Sequence, residues 1–117
     1  MKLIIAGSRT IDYYTPHDLH ELICSHFSDY PTEIISGLAK GADQLGIDYA
    51  ARYNIPIIEF PADWITLGKR AGYIRNNTMA EYGDCLLALW DGKSNGTRHM
   101  IQAMIHMQKP FHVELSQ

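Results

Sequence analysis

Four short motifs contain the residues of this chain that are best suited to binding chemistry. They begin at Gly7, Gly37, Arg75 and Asp91 and read Gly-Ser-Arg, Gly-Leu-Ala-Lys-Gly-Ala-Asp, Arg-Asn-Asn-Thr-Met and Asp-Gly-Lys-Ser-Asn-Gly-Thr. Glycine lets a backbone approach a ligand closely, and the free N–H groups in the first turn of a helix favour an anion. The motifs therefore predict a phosphate-bearing small molecule as the ligand, with a nucleotide as the first expectation.

The first two motifs place polar side chains next to glycine. A tight turn at Gly7 would let the Ser8 hydroxyl and the Arg9 guanidinium hold a phosphate; the alternative is a strand-ending glycine followed by a solvated arginine. The second motif is not a Walker A loop, because its glycines are too close together and no Lys-Ser or Lys-Thr pair follows them. The candidate ligand-binding residues of these motifs are Gly7, Ser8, Arg9, Gly37, Lys40 and Gly41.

Asp43 closes the second motif and falls in the first turn of a predicted helix. A carboxylate at that position complements the helix dipole, which gives it a purely structural interpretation. Beside a phosphate the same carboxylate would repel the ligand, so its functional interpretation directs it toward ribose hydroxyls. Both interpretations of Asp43 stay open at the level of sequence.

The last two motifs supply a further cation and a run of small polar residues. Arg75 can sit over a phosphate, ribose or base with Met79 packing beneath it, although most arginines are simply exposed. The loop that starts at Asp91 offers hydroxyls and a helix N-terminus as an anion cradle; the alternative is a polar loop with Thr97 as the N-cap. The candidate ligand-binding residues of these motifs are Arg75, Asn76, Asp91, Gly92, Ser94, Gly96 and Thr97.

The segment 61–71 fits neither the period of a strand nor that of a long helix. It reads Pro-Ala-Asp-Trp-Ile-Thr-Leu-Gly-Lys-Arg-Ala and lies between a predicted strand and a predicted helix. Irregular segments of this length between regular elements are often functional. We therefore predict a lid or specificity loop in which Asp63 and Trp64 contact the ligand.

The motifs need a scaffold that brings the ends of several strands together. Apolar runs at 3–6, 34–35, 55–60, 85–90 and 111–115 are too short for helices and are predicted as strands of a mainly parallel sheet. The first helix is predicted from Pro16, behind the N-cap Thr15, to residues 29–31. Two more are predicted over 45–53 and 72–82. The last begins at Thr97, and its residues Met100, Ile101, Met104 and Ile105 should face the sheet. The predicted fold is α/β, a Rossmann-like three-layer sandwich of about five strands with helices on both faces. The carboxyl ends of such strands lie at one edge, so the four motifs should converge there.

Length, composition and charge limit the classes of protein that fit. A chain of 117 residues with 46% hydrophobic and 20% charged residues suits one domain over residues 1–117. Its 10 Lys and Arg against 13 Asp and Glu give a net charge of −3. That balance argues against broad binding to duplex nucleic acid, because such affinity comes from neutralising phosphates.

The cysteines, the histidines and the N-terminal residues argue against a metal protein and against a membrane or exported protein. Cys24 and Cys85 have no partners at metal-ligand spacing and are predicted as reduced, buried thiols. Among the six histidines, His17 and His20 are three residues apart but lack a third ligand nearby in sequence, so neither a metal nor a cofactor is expected. No apolar run reaches membrane-spanning length and no leader pattern precedes the first strand. The expected location is cytoplasmic, without membrane contact.

Taken in order, the motifs resemble those of the SLOG superfamily. This Rossmann-like group includes the lonely-guy phosphoribohydrolases and the DprA/Smf proteins, and the chain looks most similar to its small YspA/YpsA-related branch of bacteria and phages. The matching patterns are Gly-Ser-Arg, Gly-x-x-x-Gly-Ala-Asp, Pro-Ala-Asp-Trp, Arg-Asn-x-x-Met-Ala and Asp-Gly-x-Ser-x-Gly-Thr, which together cover nearly the whole length. The resemblance implies a nucleotide-related ligand at the strand ends, held by the glycine loops.

The resemblance includes one departure that affects the expected chemistry. In the phosphoribohydrolases an arginine of Arg-Lys-x-x-Met and a glutamate of Pro-Gly-Gly-x-Gly-Thr-x-x-Glu support cleavage of an N-glycosidic bond. Arg75 matches that arginine and Gly96-Thr97 match the second motif, but Met100 stands at the position of the glutamate. A methionine can neither stabilise positive charge on the sugar nor position water.

Three functions of different classes are therefore carried forward. The first is binding, by sensing or sequestering, of a nucleotide or nucleotide-derived ligand. The second is an N-glycosidase acting on a nucleoside 5′-monophosphate, with Asp43, Asp91 and Arg75 as candidate catalytic residues and Asp63 as a further replacement carboxylate. The third is single-stranded DNA binding of DprA type, which the acidic balance disfavours. A homodimer is also possible, with Tyr82, Met104 and Met107 as candidate interface residues.

Overall fold

Five apolar segments pair as one parallel sheet in this computed structural model, which describes residues 1–37 and 41–116. The strands are β1 (Lys2–Gly7), β2 (Glu33–Ser36), β3 (Ile57–Glu59), β4 (Cys85–Trp90) and β5 (Phe111–Leu115). Their order across the sheet is β3-β2-β1-β4-β5, and each neighbouring pair is parallel. The predicted α/β fold with a sheet of about five strands is confirmed.

The centre of the sheet is the pairing of β1 with β4. Five residue pairs, from Leu3 with Cys85 to Gly7 with Leu89, hold these two strands together although they are far apart in sequence. The chain proceeds from β1 outward to β3 on one side and returns to β4 on the other. The loops after β1 and β4 therefore diverge, and this switch point is where parallel α/β sheets leave a crevice for a ligand.

Helices cover both faces of the sheet, as predicted. They are α1 (Pro16–His26), α2 (Ala42–Arg52), α3 (Trp64–Leu67), α4 (Ala71–Tyr82) and α5 (Asn95–His106). On one face, Leu19 and Ile23 of α1 and Leu45 and Tyr49 of α2 pack against alternate residues of β1 and β4. On the other face, Met79 and Ala80 of α4 and Met100 and Met104 of α5 pack against the remaining alternate residues. The result is the predicted three-layer sandwich.

The first helix begins as predicted but ends earlier. The Thr15 side chain accepts the N–H of Asp18 and the Asp18 carboxylate accepts the N–H of Thr15, which forms a capping box behind Pro16. The end predicted at residues 29–31 is wrong, because Phe27 adopts an extended conformation and packs its ring against the core. Burial of that ring ends the helix at His26.

The two cysteines differ in burial. Cys85 is buried in β4, and desolvation raises the pKa of its thiol to about 11, as expected for an inert core cysteine. Cys24 is exposed, so its predicted burial is wrong. The core-facing stripe of α1 passes through Leu19 and Ile23, and the residue after Ile23 is rotated by about 100° toward solvent.

The segment 61–71 is more regular than its sequence suggests. It contains α3 and a turn of 3₁₀ helix over Gly68–Arg70, which leads directly into α4. The prediction of an irregular segment is therefore wrong over 64–70. Elements of three or four residues are shorter than the window in which helical periodicity can be read, so the pattern could not show them.

The last helix starts two residues earlier than predicted, at Asn95. Ile105 is 57% exposed, contrary to its predicted place on the sheet, because Met100, Ala103 and Met104 occupy the buried face. Met104 is fully buried in the core, which removes it as a candidate interface residue. Among the described residues, no helix is long and apolar enough to cross a membrane.

Candidate functional site

A cleft of about 740 Å³ opens at the carboxyl ends of the strands. This volume falls within the range of small-molecule sites, about 300–1,000 Å³. The cleft lies where the loops after β1 and β4 diverge and is bounded on one side by α3 and α4. Twelve of the residues predicted to bind ligand line it: Gly7, Ser8, Arg9, Gly37, Asp43, Trp64, Arg75, Asn76, Asp91, Ser94, Gly96 and Thr97.

Three other predicted residues do not line the cleft. Gly41 has a φ of +75°, and a side chain there would meet the Arg9 carbonyl oxygen at 2.4 Å, so its role is to let two loops touch. Gly92 has a φ of +81° and shapes the turn after β4. The Asp63 carboxylate accepts the Thr66 N–H and caps α3. Lys40, also predicted, lies outside the described residues.

Several lining residues were not among the predicted ligand-binding set. Tyr73 precedes Asn76 by three residues on α4, and that helical spacing could have revealed a shared face. Lys69 is one of two cations, with Arg70, in the segment 61–71. Thr10 and Gly72 carried no signal of their own in the sequence. The additional lining residues are Ala6, Thr10, Lys69, Gly72, Tyr73, Met79 and Met100.

A chain of hydroxyl groups crosses the floor of the cleft. The Asp91 N–H donates to Ser8 Oγ at 3.0 Å, Ser8 Oγ lies 2.9 Å from Ser94 Oγ, and the Ser94 hydroxyl donates to Thr97 Oγ1 at 3.0 Å. Each hydroxyl has one proton, and that of Ser8 has two acceptors within reach, Ser94 Oγ and the Asp91 carboxylate. Among the described residues no acceptor is seen for the Thr97 proton. The relay leaves the Thr97 O–H as a donor at the wall of the cleft.

The start of α5 is left open to the cleft. Its N-cap residue Ser94 makes no side-chain capping hydrogen bond, and its hydroxyl donates to Thr97 Oγ1 instead. The Ser94 carbonyl accepts the Trp90 indole N–H at 3.1 Å. The first N–H groups of a helix have no partners within the helix. By contrast, α1 is closed by its capping box. The uncapped N–H groups of α5 give the cleft a partial positive charge that suits an anion.

Arg75 is fixed at the opposite side of this opening. Its Nη1 donates to the Gly37 carbonyl at 2.5 Å and its Nε donates to Asn76 Oδ1 at 3.0 Å. A side chain at Gly37 would lie 2.5 Å from Nη1, so glycine is what lets the guanidinium take this position. Burial lowers the pKa of Arg75 and the nearby Asp43 charge opposes that effect, but an arginine stays protonated at neutral pH.

Asn76 connects the arginine to the start of α5. Its side chain is buried and its Nδ2 donates to the Gly96 carbonyl at 3.3 Å and lies 3.2 Å from His99 Nδ1. Burial lowers the pKa of His99, which favours the neutral ring that can accept this hydrogen bond. Asn76 thereby sets the position of α4, and with it Arg75, relative to α5.

The two acids at the cleft are both held by backbone N–H groups. The buried Asp43 accepts the Gly7 N–H at 3.3 Å, which ties the start of α2 to the end of β1. Asp91 Oδ1 accepts the N–H groups of Lys93 and Ser94, each at 2.8 Å. These bonds stabilise the charged form and lower the pKa of Asp91. Asp91 is therefore ionised at neutral pH and poorly suited to donate a proton.

No family model and no solved structure matches this chain. A phage protein resembles it. Gene 61 protein of Mycobacterium phage D29 is 36% identical over 83 residues, in an alignment that covers 66% of this chain and 66% of that protein. The chain thus spans slightly less than two thirds of the relative's length. The name of this relative states no activity. The function of this chain must therefore be argued from the residues of the cleft.

The remaining wall of the cleft is apolar and aromatic. Met100 is buried in the core beside Met79, and both line the cleft. Trp64 is 54% exposed and lies against α4, where its Cη2 would be 3.2 Å from a side chain at Gly72. Tyr73 is 46% exposed. Two aromatic side chains therefore line the same cleft as the cations Arg9, Lys69 and Arg75.

We expect Gly96→Ala to weaken the binding of a phosphate-bearing ligand without loss of stability. Nothing lies within 4 Å of a methyl group built at Gly96, and alanine is favoured over glycine in a helix by about 1 kcal/mol. The methyl group would occupy space beside the open N–H groups of α5 and weaken binding by about tenfold, or about 1.4 kcal/mol. Ligand titration and urea unfolding measure the two effects.

Asn95→Ala is the matched control for that change. Asn95 is exposed in the same helical turn and does not line the cleft. It should leave affinity unchanged. Equal affinity in Gly96→Ala and the wild-type protein would show that the ligand does not reach the start of α5.

Proposed function

We propose that this protein binds a nucleotide or a nucleotide-derived small molecule in the cleft at the carboxyl ends of its strands. The observation that carries the proposal is the meeting of Arg9, Lys69 and Arg75 with the uncapped start of α5 around one cleft of nucleotide size. The chain has a net charge of −3, so this group of cations is not a reflection of a generally basic surface. Asp43 and Asp91 share the lining, so the described residues leave a surplus of one positive charge beside the start of α5, and that surplus favours an anion.

The contacts suggest how such a ligand would lie. A phosphate would accept hydrogen bonds from the start of α5 and from the Thr97 hydroxyl, with the Arg75 guanidinium alongside. The Asp43 carboxylate, beside Arg75, is suited to ribose hydroxyls. A base would stack on Trp64 or Tyr73, whose exposed faces continue the cleft outward. The SLOG resemblance of the motifs implies the same kind of ligand.

The acids of the cleft favour binding over cleavage of the ligand. Cleavage of an N-glycosidic bond needs a carboxylate at the anomeric carbon, either to stabilise positive charge or to activate water. Met100 occupies the position where the resemblance implies that carboxylate. The Asp91 carboxylate is held by two backbone N–H groups that lower its pKa and make it a weaker base. Asp43 is the acid best placed to act if the ligand is cleaved.

A retention experiment with excess protein tests the proposal. Purified protein is mixed with nucleoside monophosphates, NAD, ADP-ribose, cyclic nucleotides and a short single-stranded oligonucleotide, and the filtrate and retained fraction are analysed by mass spectrometry. We expect one class of intact nucleotide in the retained fraction. Free base in the filtrate, lost in Asp43→Ala, would instead identify an N-glycosidase. Retention of the oligonucleotide alone would support DNA binding. Retention of nothing, together with no free base in the filtrate, would contradict all three functions.

A further inference from the structure

Two histidines and a glutamate meet at the edge of the sheet, away from the cleft. His26 is the last residue of α1, and His112 and Glu114 lie on the edge strand β5. Their ligand atoms all lie within 4.8 Å of one another, and His112 Nε2 is 3.0 Å from Glu114 Oε1. None of the three lines the cleft, so the proposed nucleotide site has no use for them.

The topology explains why these residues are close. His112 and Glu114 are two residues apart on a strand and therefore point to the same face. They pair in register with Leu87 and Leu89, whose side chains join the core beneath α1. The last turn of α1 thus lies over the same face of β5. Because His26 and His112 are 86 positions apart in the sequence, no spacing motif could have revealed the cluster.

The cluster has the donor types and the reach of a metal site. Two imidazoles and one carboxylate are a common ligand set for Zn²⁺, with metal–ligand distances of about 2.0–2.2 Å. In a tetrahedral site of that size the ligand atoms lie roughly 3.4 Å apart. The His112–Glu114 pair is already at 3.0 Å, and the other separations, which are at most 4.8 Å, need to shorten by up to about 1.4 Å.

His26 is the residue that must move. Its ring is stacked on that of His112, with centroids 3.5 Å apart and planes 11° from parallel, so their lone pairs do not converge on one point. His26 is exposed at a helix end, which leaves its ring free to tilt. Without a metal, His112 pairs with Glu114 and His26 stacks on His112. A shared cation would use the nitrogen and oxygen atoms of all three residues together.

We propose that His26, His112 and Glu114 bind a divalent transition metal of the Zn²⁺ class, with water completing the coordination. Two nitrogen ligands disfavour Mg²⁺ and Ca²⁺, which prefer oxygen. The bound ion would link the end of α1 to the edge strand. This site is independent of the nucleotide cleft and of the function proposed for it.

Metal titration of the untagged full chain tests this site. Zn²⁺ affinity is measured by competition with a chromophoric chelator, and Co²⁺ provides a visible spectrum that reports its coordination geometry. We expect one ion per chain and no competition from Mg²⁺. Loss of an orienting partner alone typically weakens metal binding by 10–100-fold, so H26A and H112A should each weaken it by about 100-fold or more. E114Q, which preserves shape, should weaken it by at least about tenfold.

His17→Ala is the matched control. His17 is an exposed histidine on the same helix, and its Nε2 lies 3.0 Å from Glu21 Oε1, so it offers a two-ligand pair of the same chemistry. We expect its Zn²⁺ affinity to equal that of the wild-type protein. Equal losses in H17A and H112A would overturn the proposal, as would wild-type affinity in H26A. Urea unfolding of each metal-free variant separates loss of ligands from loss of fold.

Discussion

Replacing Arg75 by alanine is expected to weaken binding of a phosphate-bearing nucleotide by about 1.5–3 kcal/mol, the contribution of a hydrogen bond to a charged group. The guanidinium is held at the cleft by the Gly37 carbonyl and by Asn76, so it is positioned before a ligand arrives. Water can reach these acceptors when the arginine is removed, so the fold should remain. Isothermal titration of wild-type and variant protein, with circular dichroism for the fold, measures both.

Three further variants identify the cause of that loss. Arg75→Lys keeps the charge but loses the planar fork and should give an intermediate affinity. Gly37→Ala keeps the arginine but places a methyl carbon 2.5 Å from its Nη1, so it should displace the guanidinium and also weaken binding. Arg52→Ala removes an equal charge at the far end of α2 and should have no effect. Unchanged affinity in Arg75→Ala would remove the cleft as the nucleotide site.

Gly7→Ala is expected to destabilise the domain by about 3 kcal/mol, the upper end for overpacking of a core. A side chain at Gly7 would lie 2.0 Å from the Leu89 carbonyl oxygen and 2.8 Å from Ala42 Cβ. Neither neighbour can move easily, because Leu89 is in the central strand pair and Ala42 begins the helix packed on it. Urea unfolding gives the difference in free energy of unfolding.

Gly96→Ala serves as the stability control for Gly7→Ala. It makes the same chemical change at the same edge of the sheet, but its methyl group meets nothing within 4 Å. A domain of this kind has about 5–15 kcal/mol of stability in total, so the loss at Gly7 should be readily measured. A loss below about 1 kcal/mol would mean that β1 and β4 separate more easily than their close packing implies.

The fold was predictable because each of its central strands is recognisable from a short stretch of sequence. The runs that became β1 and β4 are apolar and too short for helices, and parallel sheets bury both faces of such strands. The convergence of the motifs then follows from the rule that carboxyl strand ends share an edge. The sequence could not show which glycines face the cleft and which allow close contact between backbone segments. Gly7 and Gly41 were predicted to bind ligand, and the structure shows that each also allows two backbone segments to approach each other. Of the two, Gly7 lines the cleft.

Features that depend on three-dimensional packing were the ones that sequence reasoning missed. The early end of α1 depends on where the Phe27 ring packs against the core. The relay from Ser8 to Thr97 depends on hydroxyl directions across two loops, and the histidine cluster depends on a helix end meeting an edge strand. None of these contacts leaves a periodic or spaced signature. The residue types suggested a phosphate site. Only the contacts in the structure distinguish residues that hold the loops and helices in place from residues that face the cleft.

The hydroxyl relay from Ser8 through Ser94 to Thr97 also affects the resistance of this protein to proteolysis. It joins the end of the first strand to the last helix, so the proposed ligand site is complete only while the whole domain is folded. A ligand that binds only this folded form stabilises it by mass action and lowers the population of opened molecules. Proteases act on opened molecules. The amount of protein present in a cell would then follow the supply of its ligand.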